Sequence, residues 1–227
     1  MNAQLPLAFR FPPDQRFETH VGDDAACAAL RMLAQDEQTN PHFLSGPAGS
    51  GKTHLLLACC AAAQAHGRQA RYLPLASLAG NLSQALDGLN ADLVCFDSLE
   101  AVAGQRDDEV ALFHAHNRLR AEGCNLVYAA RANPQALGLV LPDLQSRLGQ
   151  CTRIVLDVLD DAGRRAVLQQ RAARRGLALD DAVLDYLLRR VGRDLAGLTA
   201  LFERLDRESL AAQRRITIPF LRQLLGG

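Results

Sequence analysis

Residues 46–53 read Gly-Pro-Ala-Gly-Ser-Gly-Lys-Thr and match the pattern G-x-x-x-x-G-K-[ST] at every position. The apolar stretch before them, His42–Ser45, is predicted to be a strand, and Lys52–Ala65 to be a helix. Glycines at such a strand-to-helix turn let backbone N–H groups face phosphates, and the start of the helix adds partial positive charge. These residues therefore predict a P-loop that binds a nucleoside diphosphate or triphosphate with magnesium.

Two side chains of this stretch carry defined chemistry. Lys52 is expected to reach the β and γ phosphates, and Thr53 to offer its hydroxyl to magnesium. Of the 25 lysine and arginine residues only Lys52 is a lysine, which suits a site that accepts a slim, flexible point charge. The predicted nucleotide contacts here are Gly46, Pro47, Ala48, Gly49, Ser50, Gly51, Lys52 and Thr53.

An apolar run that ends in an acid, Leu-Val-Cys-Phe-Asp at residues 93–97, is typical of the Walker B strand of a P-loop protein. Asp97 is therefore expected to hold magnesium, through a water molecule. Many such ATPases place a second acid at the next residue to orient the attacking water. That residue is Ser98 here, and Glu100 lies two residues further on. We therefore predict weak intrinsic hydrolysis.

Strand and helix patterns alternate through the first two thirds of the chain, which predicts a mostly parallel five-stranded sheet covered on both faces. The expected strands are 42–45, 70–75, 92–96, 125–130 and 153–156, and the expected helices between them are 23–35, 52–65, 77–86 and 107–121. After Leu156 only helices are expected, at 160–174, 180–190, 193–213 and 219–225. The predicted organisation is an extended tail over residues 1–17, an α/β domain over 18–157 and a helical domain over 158–227.

Composition excludes several classes of protein. Hydrophobic residues make up 48% of the chain, enough for a core, but no apolar run approaches the ~20 residues that a membrane span needs. The net charge of zero gives no nucleic-acid footprint. No signal segment is evident, and the six cysteines are expected to be reduced and buried, which points to the cytoplasm.

Three further features have more than one reading from the residues alone. Arg147, near the end of a short predicted helix, is either an arginine finger for a neighbouring subunit or a solvated surface residue. Arg193 begins a predicted helix and is either a nucleotide sensor or a salt-bridged residue. Residues 4–9 alternate apolar side chains, either to fill pockets of a partner or to form an edge strand or a disordered tail.

Taken together, the motifs resemble the DnaA family of bacterial replication initiators and, within it, the shorter group of regulatory inactivators of DnaA, the Hda group. The resemblance covers nearly all 227 residues. The stretches that carry it are QLPLAF (4–9), GPAGSGKTH (46–54), DLVCFDSLEAVAG (92–104), LPDLQSRL (141–148), residues 192–198 and AQRRITIPFLRQLL (212–225).

The resemblance implies an AAA+ fold, a five-stranded α/β domain with a helical lid, that binds ADP or ATP. It implies that Lys52 and Thr53 are Walker A, that Asp97 is Walker B, and that Arg147 is a finger acting in trans. It also implies that Arg193 is the lid sensor, that Phe17 and Val21 border the adenine, and that His54 belongs to the nucleotide site. The tail is similar to the sliding-clamp-binding peptide Q-L-x-L-x-F, with the contacts Gln4, Leu5, Leu7 and Phe9.

Two positions depart from the family's pattern. Ser98 stands where the initiator has a second acid, and Ala129-Ala130-Arg131 stands where the family has a polar and then an acidic sensor residue. Arg131 or Asn133 is a candidate substitute for that sensor. The helix-turn-helix domain with which initiators read origin DNA is not expected here, so no direct sequence-specific DNA binding is expected either.

The resemblance implies a negative regulator of replication initiation. It would be tethered to the sliding clamp, and it would stimulate ATP hydrolysis by DnaA through Arg147. Two other classes stay open at this point: an adaptor ATPase that recruits or loads another replication protein such as the helicase, and a small-molecule kinase. A homodimer is also possible, since Arg147 would suit one.

Overall fold

The computed structural model describes residues 15–37, 39–174, 176–177, 179–191 and 217–225. Within these ranges a five-stranded parallel sheet has the strand order β2-β3-β4-β1-β5. The strands are β1 His42–Ser45, β2 Ala70–Pro74, β3 Leu93–Asp97, β4 Asn125–Ala130 and β5 Thr152–Val155. The helices are α1 Asp24–Ala34, α2 Lys52–Ala65, α3 Leu82–Leu86, α4 Arg106–Ala121, α5 Pro142–Gly149, α6 Asp161–Arg174, α7 Asp181–Val191 and α8 Ile218–Leu225. The prediction of an α/β sheet followed by a helical lid is confirmed.

The three central strands are mostly apolar and polar only at their ends, because helices cover both faces of the sheet. Every residue of β1, β3 and β4 is buried, as a parallel sheet between two helical layers requires. On one face α1 and α2 pack against side chains such as Leu44 and Cys95, and on the other α3, α4 and α5 pack against side chains such as Phe43 and Tyr128. A separate small core joins α6, α7 and α8 around Leu168, Leu184 and Leu221.

The predicted helix over residues 77–86 is wrong in its first half. A 3-10 turn occupies Leu75–Ser77, and α3 begins only at Leu82. Gly80 lies between them with φ +81°, a left-handed conformation that an α-helix does not contain. The remaining strand and helix ends fall within two residues of the prediction. The predicted helix over 193–213 lies outside the described residues.

Two adjacent buried carboxylates hold the start of α4 to the loops on either side. Asp108 accepts hydrogen bonds from the backbone N–H groups of Gly80 and Leu82 at 2.7 and 3.3 Å. Glu109, fully buried, accepts them from residues 104, 140 and 141 at 2.7 to 3.1 Å. Two or more N–H donors satisfy each charge, and neither carboxylate pairs with a cation among the described residues. The entrance to α5 is thereby fixed to α4.

All six cysteines lie among the described residues, where they are buried and form no disulfide, as predicted. Among the described helices, none combines the length and the apolar character that crossing a membrane would require.

Candidate functional site

The residues predicted to form a P-loop lie where β1 ends, between the carboxyl ends of β4 and β5. The N–H of Gly46 donates to the carbonyl of Ala130 at 3.2 Å. A Cβ atom added to Gly46 would lie 2.2 Å from the carbonyl oxygen of Leu156, so no other residue fits there. The loop is therefore pinned against both strands that flank β1.

The turn itself depends on glycine. Gly49 and Gly51 have φ of +80° and +91°, conformations that residues with a Cβ rarely adopt. A Cβ on Gly51 would also lie 2.9 Å from the ring of His20. The chain between β1 and α2 can thus curve tightly and present its backbone to a ligand.

Lys52 is buried beneath this turn, with 9% of its surface exposed. Its ammonium donates to the carbonyls of Gly46 and Pro47 at 2.6 and 2.8 Å. Burial lowers the pKa of Lys52, an effect that the nearby carboxylates of Glu100 and Asp97 oppose. The positive charge is therefore held at the floor of the loop.

Asp97 is the meeting point of β2, β3 and α2. Its Oδ2 accepts a hydrogen bond from the Thr53 hydroxyl at 2.6 Å and another from the Tyr72 hydroxyl at 2.7 Å. Burial and the adjacent Asp97 carboxylate raise the pKa of Tyr72, so the phenol stays a donor. Thr53 and Asp97 bring two hard oxygen ligands together, which is the donor set that magnesium prefers.

Ser98, at the position where a second acid was sought, adopts a left-handed backbone conformation with φ 61° and ψ 51°. The chain then turns so that Glu100 meets the end of β4. Glu100 Oε1 lies 3.1 Å from Arg131 Nε, and Glu100 Oε2 accepts the Arg131 backbone N–H at 3.2 Å. Asn133, the other candidate sensor, instead caps a 3-10 turn by accepting the N–H of Ala136.

These residues line one cavity of about 400 Å³, called here the P-loop cavity. Of the residues predicted for the nucleotide site, 48–54 and Asp97 line this cavity. Glu100 and Arg131 line it as well. Gly46 and Pro47 contribute through the carbonyls that hold Lys52, and they do not line the cavity.

The segment before α1 contributes a second wall. Thr19, His20 and Val21 line the P-loop cavity, but Phe17 does not. Phe17 is buried in the core, and the Arg31 guanidinium lies over its ring, 5.1 Å from the ring centroid. The adenine contact that the resemblance implies for Phe17 stays a prediction.

Two histidines connect this wall to α2. His54 lies 2.9 Å from the carbonyl of Arg16 and 3.3 Å from the Thr19 hydroxyl, and its ring lies 5.3 Å from that of His20. Burial and then the neighbouring His54 lower the pKa of His20 to about 4. His20 is therefore neutral near pH 7. No sequence pattern had indicated His20.

The lid supplies the third wall, through α6. Val167, Gln170, Arg171 and Arg174 line the P-loop cavity. Their spacing of 0, 3, 4 and 7 residues is that of one helix face. The sequence shows this face, but not that it borders the P-loop. Arg193, predicted as the lid sensor, lies outside the described residues, as do the tail residues Gln4, Leu5, Leu7 and Phe9.

Arg147, near the last turn of α5, lies at the opposite end of the strands from the P-loop. It lines a cavity of about 290 Å³, called here the Arg147 cavity, whose walls also include Arg120, His116 and Pro41. The Pro41 carbonyl accepts the N–H of Thr152, so the cavity adjoins the amino ends of β1 and β5. No residue lines both cavities. Arg147 is therefore not part of its own chain's P-loop cavity.

Comparisons with known proteins point in one direction. A family model described as the bacterial DnaA ATPase domain matches residues 13–154, and one described as the lid domain of Hda matches residues 161–225. Domain III of the Thermotoga maritima replication initiation protein DnaA superposes with a TM-score of 0.81 at 23% identity, covering 95% of this chain and 97% of that chain.

Two further solved structures share the fold. AMPPCP-bound DnaA from Aquifex aeolicus matches with a TM-score of 0.70 at 22% identity, over 86% of this chain and 66% of that one. The RuvB Holliday junction branch migration motor of Thermotoga maritima matches with a TM-score of 0.67 at 18% identity, over 94% and 71%. The chain spans 65–66% of the length of the AMPPCP-bound DnaA structures that it matches. At these identities the structural likeness shows an AAA+ fold.

Proposed function

Because the chain belongs to the bacterial DnaA ATPase family and is Hda-like, we propose that it is a nucleotide-bound AAA+ regulator that acts on a DnaA initiator. In this proposal Arg147 enters the ATP site of the initiator and promotes hydrolysis there, and residues 4–9 tether the chain to the sliding clamp. The outcome is an ADP-bound initiator and no re-initiation of replication.

The first element of the proposal is binding of ADP or ATP with magnesium in the P-loop cavity. Three of its features fit that ligand: glycine turns that bring N–H groups to the surface, a buried ammonium, and an oxygen pair from Thr53 and Asp97. Because residues of both the α/β domain and α6 line the cavity, bound Mg-nucleotide would contact both and hold them together. Val21, His54 and Arg193 are proposed contacts from the linker, α2 and the lid.

The second element is action in trans, and the observation that carries it is the separation of Arg147 from the P-loop cavity. Arg147 is exposed and lies at the amino ends of the strands, away from its own P-loop cavity, so that a nucleotide phosphate it contacts would be one bound by another chain. An arginine finger acts by stabilising negative charge on the transferring phosphoryl group. A head-to-tail contact, with this chain's amino edge facing the initiator's P-loop, satisfies that requirement.

The third element is the tether. An extended peptide of the form Q-L-x-L-x-F suits a pocket that takes alternate side chains. Gln4, Leu5, Leu7 and Phe9 are the proposed contacts with the clamp. Tethering raises the effective concentration of the two AAA+ partners, so that a weak contact between them is enough.

The experiment is phosphate release from ATP-loaded DnaA, with clamp loaded on DNA, in the presence and absence of this protein. We expect stimulation that is lost in Arg147→Ala and is strongly reduced when residues 1–9 are deleted. Arg71→Ala is the matched control, because Arg71 is an exposed arginine on β2, at the far side of the sheet. Unchanged release by DnaA, with a chain that binds nucleotide normally, would leave the adaptor ATPase as the better reading.

A further inference from the structure

One buried polar atom in the wall of the P-loop cavity has no hydrogen-bond partner among the described residues. It is the side-chain oxygen Oε1 of Gln15, a half-buried residue that lines the cavity from the segment before α1. Buried polar atoms are nearly always hydrogen-bonded, because an acceptor that loses water without gaining a donor costs free energy. The exception is explained if a bound ligand brings the donor.

The fold holds Gln15 in place through the residues that follow it. The Arg16 carbonyl lies 2.9 Å from Nε2 of His54, and it accepts the hydroxyl and the backbone N–H of Thr19 at 2.8 and 3.1 Å. Phe17 is buried in the core. Because His54 is the third residue of α2, which begins at the P-loop, these bonds fix the backbone beside Gln15 to the phosphate-binding end of the site.

The walls opposite the P-loop turn suit the nucleoside part of a ligand. When phosphates lie on the turn beside Lys52, the rest of a nucleotide has to lie against the segment before α1 and against α6, which line the same cavity. Val21 and Val167 give these two walls apolar surface for the face of a base. The Gln170 amide of α6 is already engaged, since its Nε2 donates to the Glu18 carbonyl at 3.4 Å.

We propose that Gln15 selects the base of the nucleotide, with Oε1 accepting a hydrogen bond from the exocyclic amino group of a 6-aminopurine. The amino group of adenine is a donor, whereas the oxygen at the same position of a 6-oxopurine is an acceptor. An oxo group opposite Oε1 would leave two acceptors facing each other and the buried oxygen still unpaired. The inference rests on the proposed nucleotide binding and assigns its base selectivity to one side chain.

The test is equilibrium binding of ADP and of IDP, each with magnesium, to the full chain. IDP has an oxo group where ADP has the amino group. We expect the unaltered chain to bind ADP on the order of 10-fold more tightly, the effect of one hydrogen bond gained against one buried acceptor left unpaired. In Gln15→Leu this preference should fall below about 2-fold, through weaker binding of ADP.

Two further variants separate the acceptor from the side chain as a whole. Gln15→Glu keeps an acceptor oxygen, so it should keep the preference for ADP while its added charge weakens both nucleotides by a similar factor. Gln64→Leu is the control for loss of a glutamine elsewhere, because Gln64 is exposed near the last turn of α2, far along the helix from the P-loop. Its preference should equal that of the unaltered chain.

Melting curves without nucleotide test whether Oε1 has a part in the fold itself. The melting temperature of Gln15→Leu should not fall, because the lost oxygen has no partner among the described residues. A clear fall would mean that Oε1 satisfies a donor of the chain, and it would overturn the inference.

The binding outcomes distinguish this inference from the proposed function. Equal weakening of ADP and IDP in Gln15→Leu would assign Oε1 to a part that both ligands share, such as the ribose, and would overturn base selection. An unchanged preference in Gln15→Leu, or no preference in the unaltered chain, would overturn it as well. All three results leave nucleotide binding standing. An unaltered chain that binds neither nucleotide overturns the proposed function and this inference with it.

Discussion

The P-loop cavity and the Arg147 cavity, at opposite ends of the strands, have differently charged linings. In the P-loop cavity the charges have both signs and have partners in the chain: Lys52 has two carbonyls, and Asp97 has two hydroxyls. In the Arg147 cavity the lining includes two arginines and amide side chains but no carboxylate. The Arg147 guanidinium forms no ion pair with any residue that the structure describes.

The difference indicates what each cavity receives. In the P-loop cavity each charged group already has hydrogen-bond partners in its own chain. A small ligand can bind there by replacing some of those partners. A cavity whose charged side chains are all positive favours binding of an anion. Because Arg147 lies at the surface, an anion carried by another macromolecule can reach it. The P-loop cavity is lined by residues of one chain, whereas the role proposed for Arg147 needs a second chain.

The largest effect that separates the two cavities is expected from Arg147→Ala. Stimulation of hydrolysis by DnaA should fall on the order of 10³-fold, the effect of removing an arginine finger. The variant's own affinity for ADP should be unchanged, because no residue lines both cavities. Phosphate release and nucleotide titration measure the two quantities. Parallel loss of both would mean that the cavities are coupled.

The reverse separation is expected from Lys52→Ala. Its own nucleotide affinity should fall on the order of 100-fold, since bonds to a charged group contribute about 1.5–3 kcal/mol. In Lys52→Arg nucleotide affinity should fall by a similar amount, because a planar guanidinium cannot reproduce the contacts that the compact ammonium makes with the two carbonyls. Nucleotide titration tests both variants, and near-normal binding by Lys52→Arg would contradict the assigned geometry.

A smaller effect is expected when the pH is lowered, and it concerns the stability of the fold. Each cavity contains one histidine with its pKa lowered to about 4: His20 by burial and then His54, and His116 by burial and then Arg147 and Arg120. The folded state resists protonation that the unfolded state accepts near pH 6.5, so stability should fall as pH drops from about 6.5 towards 4. Melting temperatures across that range test the sign.

The same histidines sharpen the comparison by NMR titration. Arg147→Ala should raise the pKa of His116 and leave that of His20 where it is, because the guanidinium acts only on the nearer ring. Equal movement of both resonances would show a change in the whole fold and would remove the argument for separate cavities.

The smallest effect is expected from Tyr72→Phe. Asp97 keeps the Thr53 hydroxyl and loses one donor, which should cost about 1 kcal/mol of folding free energy. For a chain of this size that corresponds to roughly 2–4 °C in melting temperature. Stimulation of DnaA through Arg147 should be unaffected. A large loss of magnesium-dependent nucleotide binding would instead give Tyr72 a direct part in positioning Asp97.

Much of the sheet and the P-loop could be predicted because local pattern and tertiary structure agree there. His42–Ser45, Lys52–Ala65 and Asn125–Ala130 were predicted with the bounds that the structure has. The half-wrong helix at 77–86 failed because Gly80 takes a left-handed turn stabilised by Asp108, a residue 28 positions away. The windows of about 11–18 residues used to read helical periodicity do not contain both partners of that bond.

The parts of the site that were missed depend on contacts between distant segments. His20 enters the P-loop cavity because it packs against Gly51, and the Glu100–Arg131 pair forms because β3 and β4 are neighbours. Phe17 packs in the core and does not line the P-loop cavity, a position that its residue type alone does not reveal. The helical spacing of residues in the sequence indicates the face of α6 that carries Arg171. Only the fold shows that this face lines the P-loop cavity.

The burial of Lys52 has a consequence for covalent chemistry. It is the chain's only lysine, and its ammonium is enclosed by the P-loop carbonyls while the other 24 positively charged side chains are arginines. Acylating reagents, amine cross-linkers and lysine-modifying enzymes therefore have one side-chain target in these 227 residues. Acylation of that amine would remove its positive charge. The yield of acylation at Lys52 would therefore report how often the amine becomes accessible to solvent.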